Sequence, residues 1–439
     1  MRGLSIFLFE WKHFIRSPFK VVALVLFVVA GLYGLHNGAS LYHEQISEIG
    51  KINETIAEER QKYLDYYDEG KKGPEERPWI DITSPYWAMW YNNNYHFKTP
   101  SAAQVYNIGQ AEQYGFYKRV TFWASPYDPD MTKELANPER LQTGTLDFTF
   151  TLLFLLPLLL LILLYNLKSL ETEQGFMPLI EVQTTSSNIW LLSRAAFYVV
   201  LTFGLITGLL TYGATLTGVF SHSGTAFAQM LTNSIIYLIF WSAIYFFILR
   251  SGLSIMSNTL KMVGVWIVFA FIIPAIVHQV ISIDKPANLM MDFIDAKRDK
   301  RQDLFDQPDS LFQAQLDVLF PEIVDSPVAS DEKKRNQAMN RSAAGLVNEM
   351  MKESIAPIEA DNNSKNKMIK ASYLFNPVTF FQNRFNTICQ THYDDYQNYR
   401  TEIQTLIDKQ IRTMVLDMWN DVKVDKPKFN EYHEMLKTE

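Results

Sequence analysis

Four stretches of the sequence contain no charged side chain: 21–43, 148–167, 195–249 and 262–283. A helix needs about 20 apolar residues to cross a hydrocarbon core about 30 Å thick, and the third stretch is long enough for two such helices. Its middle, 221–224, is polar and ends in glycine, which is typical of a turn. The pattern therefore predicts five transmembrane helices, at 19–40, 147–167, 193–219, 227–249 and 259–283.

The first 18 residues show a different pattern. Apolar side chains recur at helical spacing, with charged residues largely off that stripe, and Pro18 follows. Such a helix lies in the membrane interface, and the proline ends it before the first crossing. The apolar positions are Leu4, Phe7, Leu8, Trp11, Phe14 and Ile15.

The remaining sequence is polar enough to lie outside the bilayer. Two long regions, 41–146 and 284–439, are mixed and charged, and each is long enough to form a modest core. Both are predicted to be mostly helical. Three short connections remain, at 168–192, 220–226 and 250–258. The fold class predicted is a mainly α membrane protein with an interfacial N-terminal helix.

Lysine and arginine flank the ends of the predicted spans unequally. Arg2, Lys12, Arg16 and Lys20 precede the first span, whereas the 220–226 hairpin has no basic residue. Basic residues favour the cytoplasmic side. The distribution predicts a cytoplasmic N-terminus, cytoplasmic 168–192 and 250–258 connections, and extracytoplasmic 41–146 and 284–439 regions, with the C-terminus outside.

The composition excludes several functional classes. The net charge of −7 argues against nucleic acid as a partner. The single cysteine, Cys389, cannot form an intrachain disulfide. The sequence contains no phosphate-binding loop of the G-x-x-x-x-G-K-[ST] type, no H-E-x-x-H, no G-x-S-x-G and no Cys-His metal spacing. We therefore expect that this chain has no catalytic, cofactor-binding or metal-binding residue and that it is not an enzyme.

The predicted spans carry no charge at their centres. This argues against an ion-coupled carrier, which needs an ionisable site near the midplane. Pro157 and Pro274 lie inside spans and are expected to kink them. Gly204 and Gly208 lie four residues apart, which favours close helix contact, either within this fold or with a second subunit.

Three features of the polar regions allow more than one interpretation. Aromatic residues crowd 79–97 and are expected to close a small core or rest on the bilayer, with a ligand platform as the alternative. The 392–402 stretch combines carboxylates, a histidine and tyrosines, and we interpret it as a solvated helix face rather than a metal site. Apolar residues at helical spacing in 403–422 predict a packed helix.

The connection between the second and third spans reads ETEQGFMPLIEVQTTSSNIWLLSR. This pattern of an acidic residue, a glycine, a short helix, a Ser/Thr patch and a basic residue resembles the segment of type 2 ATP-binding-cassette (ABC) permeases that docks onto the ATPase. The subgroup with two large extracytoplasmic insertions is the most similar, and 376–386 (NPVTFFQNRFN) is similar to part of its second insertion. The positions that match the docking segment are Glu171, Glu173, Gly175, Phe176, Leu179, Thr184, Thr185, Ser186 and Arg194.

The N-terminal FEWKHFIRSP is similar to the elbow helix of the same family, through Glu10, Arg16 and Pro18. The resemblance implies a multi-pass protein of a bacterial inner membrane whose partners are a cytoplasmic ATPase dimer, which binds ATP and magnesium, and a second identical or related permease subunit. It implies export or extraction of an amphipathic substrate, or transmission of force to a periplasmic partner.

The family normally has six spans, and this sequence has no sixth apolar run. The last helix is therefore expected to be absent or to come from a partner. Its absence favours an alternative function, a non-transporting scaffold for an envelope machine of the gliding or secretion type. A sensor that signals inward is a third interpretation, but the chain offers it no cytoplasmic effector domain.

Overall fold

The computed structural model describes residues 3–92, 94–130, 146–184, 186–251, 254–284 and 301–436. The chain is mainly helical, and five helices in the described part are long and apolar enough to cross a membrane. This confirms the prediction of five apolar helices. They are Pro18–Asp68, Phe148–Glu173, Ser187–Thr217, Gly224–Arg250 and Ile255–Ile283.

The N-terminal helix α1 (Gly3–Ile15) ends just before α2 (Pro18–Asp68), in which Pro18 occupies the first turn. A proline at this position loses no helical hydrogen bond and ends the preceding helix, as predicted. Helix α2 continues without a break for 51 residues, far beyond the first apolar stretch. At about 1.5 Å per residue it is about 76 Å long.

Two of the apolar helices contain a π-helical turn close to a proline. In α4 (148–164), the turn Thr151–Leu155 lies just before Pro157. In α10 (255–284), the turn Val268–Ile272 lies just before Pro274. The hydroxyl of Tyr237 donates to the carbonyl of Leu153 at 2.7 Å. That carbonyl lies four residues before Pro157, which has no N–H to offer it, so the tyrosine supplies the missing donor.

Short helices connect the long helices of the bundle. The connection after α4 contains α5 (Ser169–Glu173) and α6 (Met177–Gln183), and it leads into α7 (Ser187–Thr217). Gly218, with φ of 70°, ends α7, and α8 (Val219–His222) precedes α9 (Gly224–Ser251). The predicted hairpin therefore exists, with a helical turn in it.

Glycines of α2 bring the backbones in the bundle close together. A Cβ atom added to Gly34 would lie 2.5 Å from the backbone of Asp147, and one added to Gly38 would lie 2.3 Å from the carbonyl oxygen of Val105. Gly204 and Gly208 of α7 instead have no atom within 4 Å of the added Cβ. The interpretation of these two glycines as a contact within the fold is therefore wrong, because that face of α7 points out of the bundle.

The two polar regions pack around one core. Among its described residues, the first is helical to Asp68, in α3 (Pro85–Tyr91) and in a 3-10 turn (Ala102–Val105). It is therefore less helical than predicted, because its proline, glycine and asparagine residues favour turns. Its antiparallel strands β1 (Tyr95–Phe97) and β2 (Tyr117–Arg119) pair Tyr95 with Arg119. The second region consists of α11 (Asp309–Leu319), α12 (Glu332–Ala371), α13 (Pro377–Ile388), α14 (Tyr393–Trp419) and α15 (Lys426–Met435).

Contacts across the shared core join distant parts of the sequence. Phe122 from the first region lies in one buried cluster with Ile403 and Met414 of α14. The predicted packed helix is therefore confirmed. Four of the aromatic residues in 79–97 pack against this cluster and close the core, as expected: Tyr86, Trp87, Trp90 and Tyr91. Trp79 is 65% exposed.

The 392–402 stretch is only partly solvated, contrary to prediction. Tyr396, Tyr399 and Arg400 are buried, and Arg400 Nε lies 2.9 Å from Asp130 Oδ2 of the first region. His392 caps α14 by accepting a hydrogen bond from the backbone of Asp394. The sequence pattern concealed this because the partner, Asp130, is 270 residues away.

Helix α13 belongs to the bundle core rather than to the core of the polar regions. Its Phe381 and Phe385 share a buried cluster with Leu152 and Leu153 of α4. The rings of Phe381 and Tyr237 are 4.9 Å apart between centroids. The second polar region therefore returns to the apolar helices and packs beside the π-helical turns.

Candidate functional site at the charged end of the bundle

Arg194, near the start of α7, lies at the centre of a buried charge cluster. Its guanidinium donates to the carboxylates of Glu10 on α1 and Glu171 on α5. It also donates to the carbonyl oxygen of Leu167 at 2.7 Å, and its side chain is only 3% exposed. The cluster joins three segments that are separate in the sequence.

Lys20 is a second buried cation at this end. Its Nζ lies 2.8 Å from the carbonyl oxygen of Leu163 and 3.3 Å from the hydroxyl of Tyr198. Leu163 lies in the last turn of α4 and Leu167 three residues after its end, where carbonyl groups have no helical donor. Lys20 and Arg194 therefore satisfy these carbonyls and complement the negative end of the helix.

The four charges balance. Glu10 and Glu171 carry two negative charges, and Arg194 and Lys20 carry two positive charges. Burial, and then the charge of Lys20, lower the pKa of nearby His13, which favours the neutral form of this ring. Removing one partner of a buried ion pair leaves an uncompensated charge, which costs about 3–5 kcal/mol.

Helix α5 ends in a tight turn that only glycine fits easily. Gly175 has φ of 76°, a left-handed conformation that costs other residues about 1–2 kcal/mol. The backbone N–H of Phe176 then donates to the carbonyl of Glu171 at 2.9 Å. This turn separates α5 from α6 and sets the direction of α6.

Helix α5 is also fixed to the far side of the bundle. Glu173 Oε1 accepts a hydrogen bond from the backbone N–H of Ile255 at 2.7 Å, at the start of α10. Asn258 Nδ2 donates to Ser169 Oγ at 2.6 Å, and Lys168 Nζ donates to the carbonyl of Arg250 at 3.0 Å. Together with Arg194, these contacts connect α5 to α4, α7, α9 and α10.

Helix α6 presents large apolar side chains at its surface. Phe176, Leu179 and Val182 are 54%, 57% and 86% exposed, and their spacing of three places them along one side of the helix. Met177 is buried, and Ile180 packs partly against the bundle. One side of α6 is therefore anchored while the other is uncovered.

The remaining predicted positions have minor roles in this geometry. Thr184 Oγ1 donates to the carbonyl of Ile180 at 2.8 Å, and Ser186 directly precedes α7 in an extended conformation. Thr185 lies outside the described residues. Arg16 is exposed and does not join the cluster, and Pro18 starts α2.

Sequence reasoning missed Lys20, Tyr198 and Asn258. The sequence places Lys20 among the basic residues that flank the first span, but its side chain is buried among three helices. Its proximity to Pro18 was the only available signal, since a lysine in the first turn of a long apolar helix can face its neighbours. The other two residues carry no such signal.

No group of three or more His, Cys, Asp or Glu in the described residues is arranged to hold a metal ion. No protein-family model matches the chain, and no curated protein or solved structure matches it.

Proposed function

We propose that this chain is the permease subunit of an ABC transporter. In this proposal a separate cytoplasmic ATPase dimer binds the exposed side of α6, and the cluster around Arg194 passes the movement of α5 and α6 to the long helices. A second permease subunit, identical or related, completes the pathway. The observation that carries the proposal is a short helix with an uncovered apolar side, held to a helix bundle by buried charges.

The chemistry of α6 favours a protein as its partner. Lys168 and Arg250 lie close together at this end of the bundle, and basic side chains of this kind mark a boundary with water. Apolar side chains exposed beyond such a boundary are typical of a protein interface. Leu179 and Val182 fit an apolar groove on an ATPase surface.

The contacts of α5 support transmission of movement. Through Arg194, Glu173 and Ser169 it contacts the ends of α4, α7 and α10 directly. A displacement of α6 therefore acts on several long helices at once. The helices have no charge at their centres, which suits an amphipathic substrate better than a small ion. Force transmission to a periplasmic partner uses the same contacts.

The test is purification of the tagged protein from its native membrane in mild detergent, with mass spectrometry of the bound proteins. We expect a stoichiometric ATPase with a phosphate-binding loop. Val182→Asp places a charge on the uncovered side of α6 and should abolish this binding. Glu173 and Gly175 are less suitable positions, because changing them disturbs α5 itself.

Val318→Asp is the matched control, since Val318 is 82% exposed on α11, away from the bundle. It should leave ATPase binding unchanged. Recovery of periplasmic or outer-membrane proteins alone, without an ATPase, would show that the permease proposal is wrong and would favour the scaffold. Equal ATPase recovery with both variants would show that α6 is not the binding site.

A further inference from the structure

A cleft of about 280 Å³ opens on the polar regions, away from the bundle. Its walls are the 79–85 stretch, the first part of α12, and the turn after α14. Arg341 lies 30 residues before the end of α12, about 45 Å along the helix, and that end leads to α13 in the bundle core. The cleft is therefore remote from the apolar helices.

One face of α12 lines the cleft with polar side chains. Lys334, Gln337, Ala338 and Arg341 occupy positions i, i+3, i+4 and i+7, which share a face of a helix. Ala338 is buried, and its small side chain leaves room between its longer neighbours. The volume of the cleft lies just below the range for ligand sites, which begins at about 300 Å³, so only a small group fits.

Arg341 is a partly buried cation without a carboxylate partner in the described residues. Its guanidinium lies 5.0 Å from the ring centroid of Tyr86 and donates to Ser84 Oγ at 3.2 Å. Burial lowers the pKa of Arg341, but a guanidinium remains charged at neutral pH. It has five N–H donors, so several remain available to an anion.

The acidic residues of the cleft are already engaged. Asp421 Oδ2 lies 2.7 Å from Lys334 Nζ. Asp81 Oδ1 accepts hydrogen bonds from the backbone and hydroxyl of Thr83, at 3.0 and 2.6 Å. With Lys423, the lining contains three basic and two acidic side chains. The lining therefore has one excess positive charge, and Arg341 and Lys423 are its two cations without a salt bridge in the described residues, although the charge of Asp81 acts on Arg341 from farther away.

An apolar surface lies beside this charge. The ring of Trp79 lines the cleft and is 65% exposed, which is unusual for the largest side chain beside a well-formed core. Val422 and Met418 add to the apolar lining. Indole rings bind planar and apolar groups, and arginine binds carboxylates through paired hydrogen bonds.

We propose that this cleft binds a carboxylate that carries an apolar or aromatic group, with the carboxylate on Arg341 and the apolar group against Trp79. A free carboxylic acid and the C-terminal residue of a polypeptide share this chemistry. The site is independent of the ATPase-binding surface proposed for α6.

The test uses the full-length protein in detergent and isothermal titration with four probes. These are N-acetylphenylalanine, acetyl-Gly-Gly-Phe and the C-terminal amide of each. We expect each acid to bind about 10- to 100-fold more tightly than its amide, the effect of one charge-assisted hydrogen-bonded pair. Arg341→Gln should remove this preference, and Trp79→Ala should weaken acid and amide alike.

Arg335→Gln is the matched control on the same helix, because Arg335 is not among the lining residues. It should keep the preference for the acid. Tighter binding of the tripeptide acid than of N-acetylphenylalanine identifies a polypeptide terminus as the source, and equal binding identifies a free acid. Equal binding of acids and amides, no binding at millimolar concentrations, or an unchanged preference in Arg341→Gln would overturn the proposal.

Discussion

At one end of the bundle, Arg194 and Lys20 join α1, α2, α4, α5 and α7 through buried charges. At the other end, α2 meets the backbone of Val105 and Asp147 at Gly38 and Gly34, with no space for a side chain. The attraction between charges falls slowly with distance, whereas close packing is lost within an ångström. The charged end can therefore change its geometry and stay attached, while the close-packed end cannot.

This difference matches what is attached to each end of the bundle. The uncovered side of α6 adjoins the charged end, where α5 contacts several helices. At the close-packed end, the carboxylate of Asp147 accepts hydrogen bonds from Phe150 N at 2.7 Å and from Ile108 N at 3.1 Å. These contacts fix the polar regions to the start of α4.

Arg194→Gln is the most damaging change expected at the charged end. It leaves Glu10 and Glu171 buried without their cation, so the free energy of unfolding should fall by about 3–5 kcal/mol. Thermal unfolding in detergent, followed by tryptophan fluorescence, measures the effect.

Arg16→Gln serves as the control, because Arg16 is exposed and outside the cluster, and its effect should stay within about 0.5 kcal/mol. The triple change Glu10→Gln, Glu171→Gln and Arg194→Gln should recover part of the loss, since only Lys20 then remains charged. Equal stability of Arg194→Gln and the native protein would mean that the charges do not hold this end together.

Gly38→Ala tests the close-packed end. The added methyl group would meet the Val105 carbonyl at 2.3 Å, so the backbones must separate, and we expect a loss of about 1–3 kcal/mol. Gly204→Ala adds the same group where no atom lies within 4 Å, and should be neutral or stabilise by up to about 1 kcal/mol. Similar melting temperatures for the two variants would contradict the comparison.

Tyr237→Phe should have the smallest effect of the three. It removes the donor to the Leu153 carbonyl, midway between the two ends, and should cost about 1 kcal/mol. Tyr212→Phe is the control, since Tyr212 is 47% exposed on α7. Hydrogen exchange of the backbone in α4 is the sharper measurement. Faster exchange around Pro157 in Tyr237→Phe alone would confirm the role of the hydroxyl, and unchanged exchange would exclude it.

The apolar helices were predictable because a long run of residues without charge is enough to identify each of them. The number of such helices and the break at Pro18 follow from local sequence. The pairings do not. The sequence marked Gly204 and Gly208 as a contact, but the close approach within this fold occurs at Gly34 and Gly38. The spacing of small residues identifies one face of a helix, but it does not identify the residues that pack against that face.

The candidate site shows the same limit. Glu10, Glu171 and Arg194 were each selected through the resemblance, but nothing local indicates that they share one buried cluster, because Glu10 and Arg194 are 184 positions apart. Glu173 also matches the docking segment, and nothing local indicates that its carboxylate accepts a hydrogen bond from the start of α10. The shared core of the two polar regions could not be predicted either, because its contacts join residues that are separated in the sequence by four of the apolar helices.

The unbroken length of α2 has a geometric consequence. Lys20 lies in its first turn among the buried charges, and Asp68 at its last turn is 2.8 Å from Lys426 Nζ of α15. Because α2 is held by close packing at Gly38, a tilt turns about that point, and Asp68 lies 30 residues, or about 45 Å, beyond it. A tilt of about 5° therefore displaces Asp68 by about 4 Å, in the direction opposite to the displacement at the charged end.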